Sequence, residues 1–300
     1  KRVALPSDRK IIHVIPQEFI IDGQDGVYDP LGMSGVRMEG TVHIITGLVS
    51  AAQNIYKCAQ RAGLEVSDMV LEPLASSYAV LDDEEKEVGI ALLDVGGGTT
   101  DLAVFEERTI RHTAVIGIAG KKVTDDIRKG LGILSEQAEK LKKEHGFAYV
   151  PAVADNGPII LPGVGGRAPI EIDKRLLAQI IQPRMEEIFE IAALEIKRSG
   201  YSKHLSGGVV LTGGGALIKG TAELASEVLG MPVKIGIPTG FSGGLTREIE
   251  NPAYSTAVGL VYHGMKYGGQ PAGAGTASAA KKHRPVSNFA EKVKEWFDQL

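Results

Sequence analysis

The stretch DVGGGTTD, Asp94 to Asp101, combines residue types that can do chemistry at a spacing that lets them act together. Gly96, Gly97 and Gly98 have no side chains, so their N–H groups can come close to a phosphate. Thr99 and Thr100 add hydroxyl donors. Asp94 and Asp101 flank the loop, and carboxylates beside a polyphosphate suit Mg2+, held directly or through its waters. A P-loop or dinucleotide fingerprint runs strand, glycine loop, helix, with phosphate at the helix N-terminus. Here DLAVFEE follows the glycines and reads as a second strand, so the loop is the tip of a β-hairpin. A tight turn needs fewer than three successive glycines and leaves the flanking acids unexplained. Phosphate binding is the expectation.

LTGGGALIKG, 211–220, repeats the pattern as strand, three glycines (Gly213, Gly214, Gly215) and helix. Alone it is ordinary turn chemistry. Paired with the first loop it suggests the nucleoside side of one nucleotide site. Glu139 and Lys142 stand three apart on a predicted helix over 135–145, which puts them on one face. Their spacing by itself reads as an exposed ion pair. His13 and His43 lie in predicted strands and read as structural histidines. Cys58 reads as a packing residue rather than a nucleophile.

These loops need strands to carry them and helices to back them. Residues 11–21 and 36–45 read as strands, the second alternating Val36, Met38, Gly40, Val42, Ile44 with polar residues. Leu48, Ala51, Ala52, Ile55, Cys58, Ala59 and Ala62 share one face of a helix over 48–62. A short strand near Met69–Leu71 and a small-residue helix over 74–81 follow, and the charge run 82–87 reads as a solvated turn. VGIALLDV is a buried strand, and TIRHTAVIG is a third strand that pairs back on DLAVFEE. Helices are predicted over 119–131 and 135–145, short strands within 149–172, and a long helix from an Asp173 cap to Ser199, kinked or split at Pro183. GGVVLT is buried strand again, followed by a helix to Leu229, a strand VKIGI and a helix over 252–266. Residues 268–280 are a Gly/Ala-rich linker. After the basic cluster 281–284, residues 288–300 form an amphipathic helix, with Phe289, Val293, Trp296, Phe297 and Leu300 on one side.

Composition narrows the function classes. At 300 residues the chain is two domains' worth, with 43% hydrophobic and 23% charged residues, which argues against wholesale disorder. Its 33 basic and 37 acidic residues give a net charge of −4, so no nucleic-acid partner is expected. A single cysteine excludes an internal disulfide and a multi-cysteine zinc site, and fits a reducing compartment. No apolar run approaches the ~20 residues of a membrane span. The chain opens at Lys1 in mid-pattern, and a missing N-terminus is expected.

Taken together, these motifs resemble the actin/heat-shock-chaperone/sugar-kinase ATPase superfamily. DVGGGTTD resembles its second phosphate loop and LTGGGALIKG its adenosine motif. EPLASSYAVL (72–81) and NPAYSTAVGL (251–260) resemble its two interdomain connecting motifs. Within it, HVIPQEF (13–19), GMSGVRM (32–38), VGGR (164–167) and the terminal amphipathic helix are similar to the FtsA family of actin-like bacterial division proteins. The resemblance covers all but the linker.

The resemblance implies an α/β, actin-like ATPase (ribonuclease H-like) fold of mixed five-stranded-type sheets flanked by helices, with the first domain incomplete. Residues 1–47 would be the later part of the family's extra subdomain, 48–83 the rest of the first domain, and 84–251 the second domain. A connecting helix (252–267), a linker (268–284) and a membrane-targeting helix (285–300) would follow. ATP and Mg2+ are the implied cofactors. Phosphates and metal would sit near Asp94, Gly96, Gly97, Gly98 and Thr99, with Asp101 placing metal-bound waters. Gly213, Gly214 and Gly215 would back the adenine and ribose, and Glu139 and Lys142 would contact the adenosine. Hydrolysis would be slow at most and would need a metal and a positioned water. The family's first phosphate loop has no counterpart in the sequence, so this chain is expected to bind ATP weakly or not at all. Implied partners are the FtsZ C-terminal tail, met on a subdomain of about 133–205 that includes Arg184; further copies in actin-like filaments; other division proteins; and an anionic membrane. The implied location is the cytoplasmic face of the bacterial inner membrane at the septum. A PilM-like pilus adaptor and a small-molecule kinase of the same superfamily are the alternatives.

Overall fold

A computed structural model describes residues 4–163, 168–241, 243 and 246–267. Three antiparallel strands come first, β1 (Arg9–Ile21), β2 (Gln24–Val27) and β3 (Met38–Leu48), in the order β2-β1-β3. Helices α1 (Val49–Arg61), α2 (Glu72–Val80) and α3 (Asp83–Val88) lead into the central sheet. That sheet contains β4 (Ile90–Val95), β5 (Thr100–Glu106) and β6 (Thr109–Ile116) as an antiparallel meander. Helices α4 (Gly120–Leu131) and α5 (Ser135–His145), the hairpin β7 (Pro158–Leu161) and β8 (Ile170–Asp173), and the long α6 (Lys174–Ser199) follow. The chain returns through β9 (Val209–Thr212), parallel to β4, then α7 (Thr221–Leu229) and β10 (Val233–Ile235), parallel to β9. It continues through α8 (Thr246–Ile249) and α9 (Ser255–Tyr267). The five-stranded sheet therefore reads β10-β9-β4-β5-β6 and is mixed.

Strand β4, IALLDV, is buried along its whole length because helices cover both faces of the sheet. Alternate side chains serve opposite cores. Ala91, Leu93, Val95, Leu102 and Val104 join the core that includes residues of α4, α5, α6 and α7. Ile90, Leu92, Ala103 and Phe105 join the core that includes residues of α2 and α9. Both glycine loops leave the same end of adjacent strands, which is how residues a hundred positions apart come together.

Several expectations are corrected. The run 82–87 is no solvated turn. Asp82 accepts from the Glu85 N–H at 2.7 Å and Glu85 accepts from the Asp82 N–H at 3.2 Å, a reciprocal cap that starts α3. No strand forms at 69–71, since the Leu71 N–H donates to His13 Nε2 (3.0 Å) instead of to a ladder. Of the two alternatives at Pro183, the split does not occur: α6 is one helix through it. The proline removes one hydrogen bond, while Leu177, Ile181, Met185 and Ile188 stay buried on either side. The apolar stripe of α1 exists, but only Ala52 on it is buried; Ile55 and Cys58 are exposed. His43 bonds Thr113 at 3.2 Å, and Gln17 donates to the Ile110 carbonyl at 3.0 Å, so the first sheet seals the edge strand β6. Among the described residues no helix is long and apolar enough to cross a membrane.

Candidate functional site

The hairpin register pairs Val95 with Thr100 and Asp94 with Asp101, leaving Gly96 to Thr99 as the tip. The Gly96 N–H closes the tip on the Thr99 carbonyl at 3.0 Å. The first turn of α4 then docks on it, the Gly120 N–H donating to Gly96 O (3.1 Å) and the Lys121 N–H to Gly97 O (2.8 Å). These are N–H groups that the helix itself cannot satisfy. A Cβ on Gly120 would stand 3.2 Å from Gly96 O, so glycine permits the approach. Gly97 and Gly98 are exposed and face open space. Among the described residues, the N–H groups of Gly97, Gly98 and Thr99 have no intramolecular acceptor. Thr100 is buried and its hydroxyl donates to Ile118 O at 2.8 Å, so it is structural and not a free donor.

Asp94 and Asp101 are 3% and 5% exposed. Asp94 Oδ2 accepts from Ser76 Oγ at 2.7 Å and from Thr256 Oγ1 at 3.3 Å. Among the described residues neither aspartate pairs with a Lys or Arg; charge compensation is missing. Burial raises the pKa of Asp94 against the opposing hydroxyl bonds, and raises that of Asp101 as well. Glu72, at the start of α2, is pushed up to about 7 by burial and by the charges of Asp101 and Asp94. The sequence reading missed Glu72. Its only signal was an acid heading the EPLASSYAVL segment, and its importance comes from proximity in space. Oxygen donors carrying uncompensated negative charge fit Mg2+. Among the described residues no three side chains form a cage by themselves, which suits an ion that keeps waters and phosphate oxygens in its shell.

Between the hairpin tip and α5 lies a cavity of about 1130 Å³, bounded by Gly97, Lys121, Thr124, Glu139, Lys142 and Gly214 among others. Lys142 is buried, and its ammonium donates to Gly120 O (3.0 Å), Thr124 Oγ1 (2.9 Å) and Glu139 Oε2 (2.8 Å). All three of its protons are used. The pair is therefore not the exposed ion pair that its spacing suggests; it clamps α5 to the turn of α4 that supports the tip. Burial disfavours the Glu139 carboxylate, yet the bonds from Lys142 and Thr124 prevail and hold it below the usual carboxylate range.

The family model for cell division protein FtsA matches residues 91–259, and that for the SHS2 domain inserted in FtsA matches residues 1–46. Cell division protein FtsA of Pseudomonas aeruginosa is 44% identical over 295 residues, 98% of this chain and 70% of its own length. The Neisseria meningitidis protein of that name is 39% identical over 302 residues, 99% of this chain and 72% of its own. The chain belongs to the FtsA family. Among solved structures, the PilM–PilN type IV pilus biogenesis complex superposes with a TM-score of 0.63 at 17% identity, covering 87% of this chain and 68% of that one. MreB5 of Spiroplasma citri bound to ADP gives 0.55 at 19%, covering 82% and 87%. At these identities the likeness concerns the fold, which is the expected α/β fold of the actin-like ATPases.

The remaining residues that the FtsA resemblance singles out have distinct places. Gly213 has φ +82°, and a Cβ on it would stand 2.3 Å from Asp94 Oδ1; it seats strand β9 against the carboxylate and does not line the cavity. A Cβ on Gly215 would meet Val95 Cγ1 at 2.4 Å, and Gly215 also borders the cavity. Gly214 alone of the three is exposed and open. Arg184 on α6 holds Asp126 of α4 through Nε–Oδ2 (2.6 Å) and a second bond from the same guanidinium (3.3 Å), and also pairs with Glu187. The VGGR segment and the amphipathic residues Phe289, Val293, Trp296, Phe297 and Leu300 lie outside the described residues.

Proposed function

We propose that the cleft beside the β4–β5 hairpin binds Mg2+–ATP, and that the chain serves as a nucleotide-controlled, actin-like division protein linking the FtsZ ring to the cytoplasmic membrane. Recruitment of later division proteins and self-association into actin-like filaments belong to the same reading. One observation carries it most of the way: among the described residues the three successive N–H groups of Gly97, Gly98 and Thr99 have no acceptor, and the flanking Asp94 and Asp101 pair with no Lys or Arg. The first set suits phosphate oxygens and the second the metal that accompanies them.

Bound Mg2+ would offset phosphate charge and polarise the terminal phosphoryl group. Asp94 and Asp101 would hold it through oxygen or water, and the tip N–H groups would orient the phosphates. Glu139 and Gly214 would face the nucleoside, with Lys142 as the clamp behind them.

Gly97→Val tests the cleft. The added side chain enters open space, so the fold should persist, while it obstructs the approach of phosphate. Calorimetry on this variant of the full-length parent should show loss of ATP affinity with an unchanged melting temperature. Parental affinity in a folded Val variant removes the assignment.

Arg184 is the proposed contact for the acidic side of an FtsZ tail peptide. Because it already braces α6 to α4, charge reversal would set an acid against Asp126 and Glu187 and mix two effects. Arg184→Gln separates them. Fluorescence anisotropy should show several-fold weaker peptide binding, with the difference shrinking at high salt. Asp126→Asn, which frees the guanidinium, should not weaken it. Equal affinity in all three proteins leaves Arg184 as a brace only.

A further inference from the structure

Helices α2 and α9 lie far apart in sequence and pack with their backbones almost touching. A Cβ on Gly259 would fall 1.8 Å from Ala75 O, so only glycine lets α9 come this close. At the crossing, Ser76 Oγ and Thr256 Oγ1 are 3.0 Å apart, and both reach one atom, Asp94 Oδ2. The opposite oxygen, Oδ1, abuts Gly213. The start of α9 is fixed independently, Ser255 bonding Thr212 at the end of β9 at 2.5 Å.

We propose that Ser76 and Thr256 form a hydroxyl bridge between α2 and α9 that aims Asp94 at the cation of the nucleotide site, so that cation binding and the packing of the two helices depend on each other. The inference rests on the Mg2+–ATP reading of the cleft. Ser76 and Thr256 are positioning residues, since they act through Asp94. Each helix supplies one donor to the same buried oxygen, so sliding α9 along α2 removes a donor. A buried carboxylate oxygen that loses its donor is costly to keep. The coupling is reciprocal: whatever stabilises ionised Asp94 also favours the close helix pair. Nucleotide state would thus be felt at α9 through hydroxyl groups that never touch the nucleotide.

The test uses Thr256→Val, which keeps the branched shape without the hydroxyl, Ser76→Ala, and Thr256→Ser, which restores the donor. Binding of a fluorescent ATP analogue by the full-length protein, the parent of these variants, is titrated with Mg2+, and Asp94→Asn is run alongside. Replacing groups that orient a metal ligand costs about 10–100-fold in metal affinity. Thr256→Val and Ser76→Ala should each need about tenfold more Mg2+ for half-saturation, at the lower end of that range. Mg2+-free nucleotide affinity should be unchanged, and Thr256→Ser should behave as the parent. If Asp94→Asn loses the Mg2+ response while Thr256→Val and Ser76→Ala both keep it, the bridge is packing only and the inference fails alone. If the parent itself shows no Mg2+-dependent nucleotide binding, the reading of the cleft falls and the inference falls with it.

Discussion

In the full-length parent, Asp94→Asn should weaken Mg2+-dependent ATP binding by about 100-fold while making the protein harder to unfold. The opposite signs follow from one fact: Asp94 is a buried carboxylate with no Lys or Arg partner among the described residues. Without a cation the charge costs stability, as its raised pKa expresses. The amide is isosteric and carries no charge to desolvate. Its oxygen can still accept from Ser76 Oγ, so the packing of α2 on β4 is kept. The same change removes an anionic oxygen from the metal's surroundings, and even groups one step further from a metal cost about 10–100-fold when replaced. Calorimetry with and without Mg2+, together with thermal unfolding, measures both halves. A variant that binds Mg2+–ATP like the parent contradicts the role given to Asp94. One that loses affinity because it has lost stability points to an architectural aspartate instead.

The hairpin was legible because its evidence is local. Strand periodicity, three glycines and flanking acids all sit within DVGGGTTD. The cap of α6 was legible for the same reason, Asp173 accepting from the Leu176 N–H at 2.6 Å. What sequence could not show is which of several like residues meets the cleft. Gly213, Gly214 and Gly215 are equivalent as letters, yet Gly213 packs on Asp94 away from the cavity, Gly215 packs on Val95 while still bordering it, and Gly214 opens onto it. Lys142 and Glu139 share a helix face whether that face is wet or buried, and α4 decides it. Glu72 is an ordinary helix-start acid until Asp94 and Asp101 are brought beside it. The cap of α3 was a different case. Asp82 and Glu85 carry the reciprocal-cap spacing plainly, and the dense charge around them drew the reading toward a solvated turn.

Removing residues 288–300, or changing Trp296 to Glu, should abolish co-sedimentation with anionic vesicles while leaving the folded body intact. Phe289, Val293, Trp296, Phe297 and Leu300 fall at offsets 0, 4, 7, 8 and 11, a spacing that would put them on one continuous face if the segment is helical, as its sequence predicts. Asn288 can cap the helix, and Glu291 completes the cap pattern. The segment 288–300 carries Lys292 and Lys294 against Glu291, Glu295 and Asp298, a net −1, so charge attraction to lipid must come from Lys281, Lys282 and Arg284. At ~1 kcal/mol per basic residue near an anionic surface, three residues are too few for stable attachment. Burial of Phe289, Trp296 and Phe297 at ~25 cal/mol per Å² of apolar area must therefore supply most of the affinity. Neutralising the basic cluster should accordingly weaken binding in a salt-dependent way without abolishing it, whereas Trp296→Glu should abolish it at any salt. Trp296 is the chain's single tryptophan, so its emission reports the event directly and should shift to the blue on vesicle addition. The competing arrangement is a helix docked on its own domain. It predicts blue emission before any lipid is added and no response to vesicles, and a deletion variant that still sediments with vesicles would place the membrane contact elsewhere in the chain.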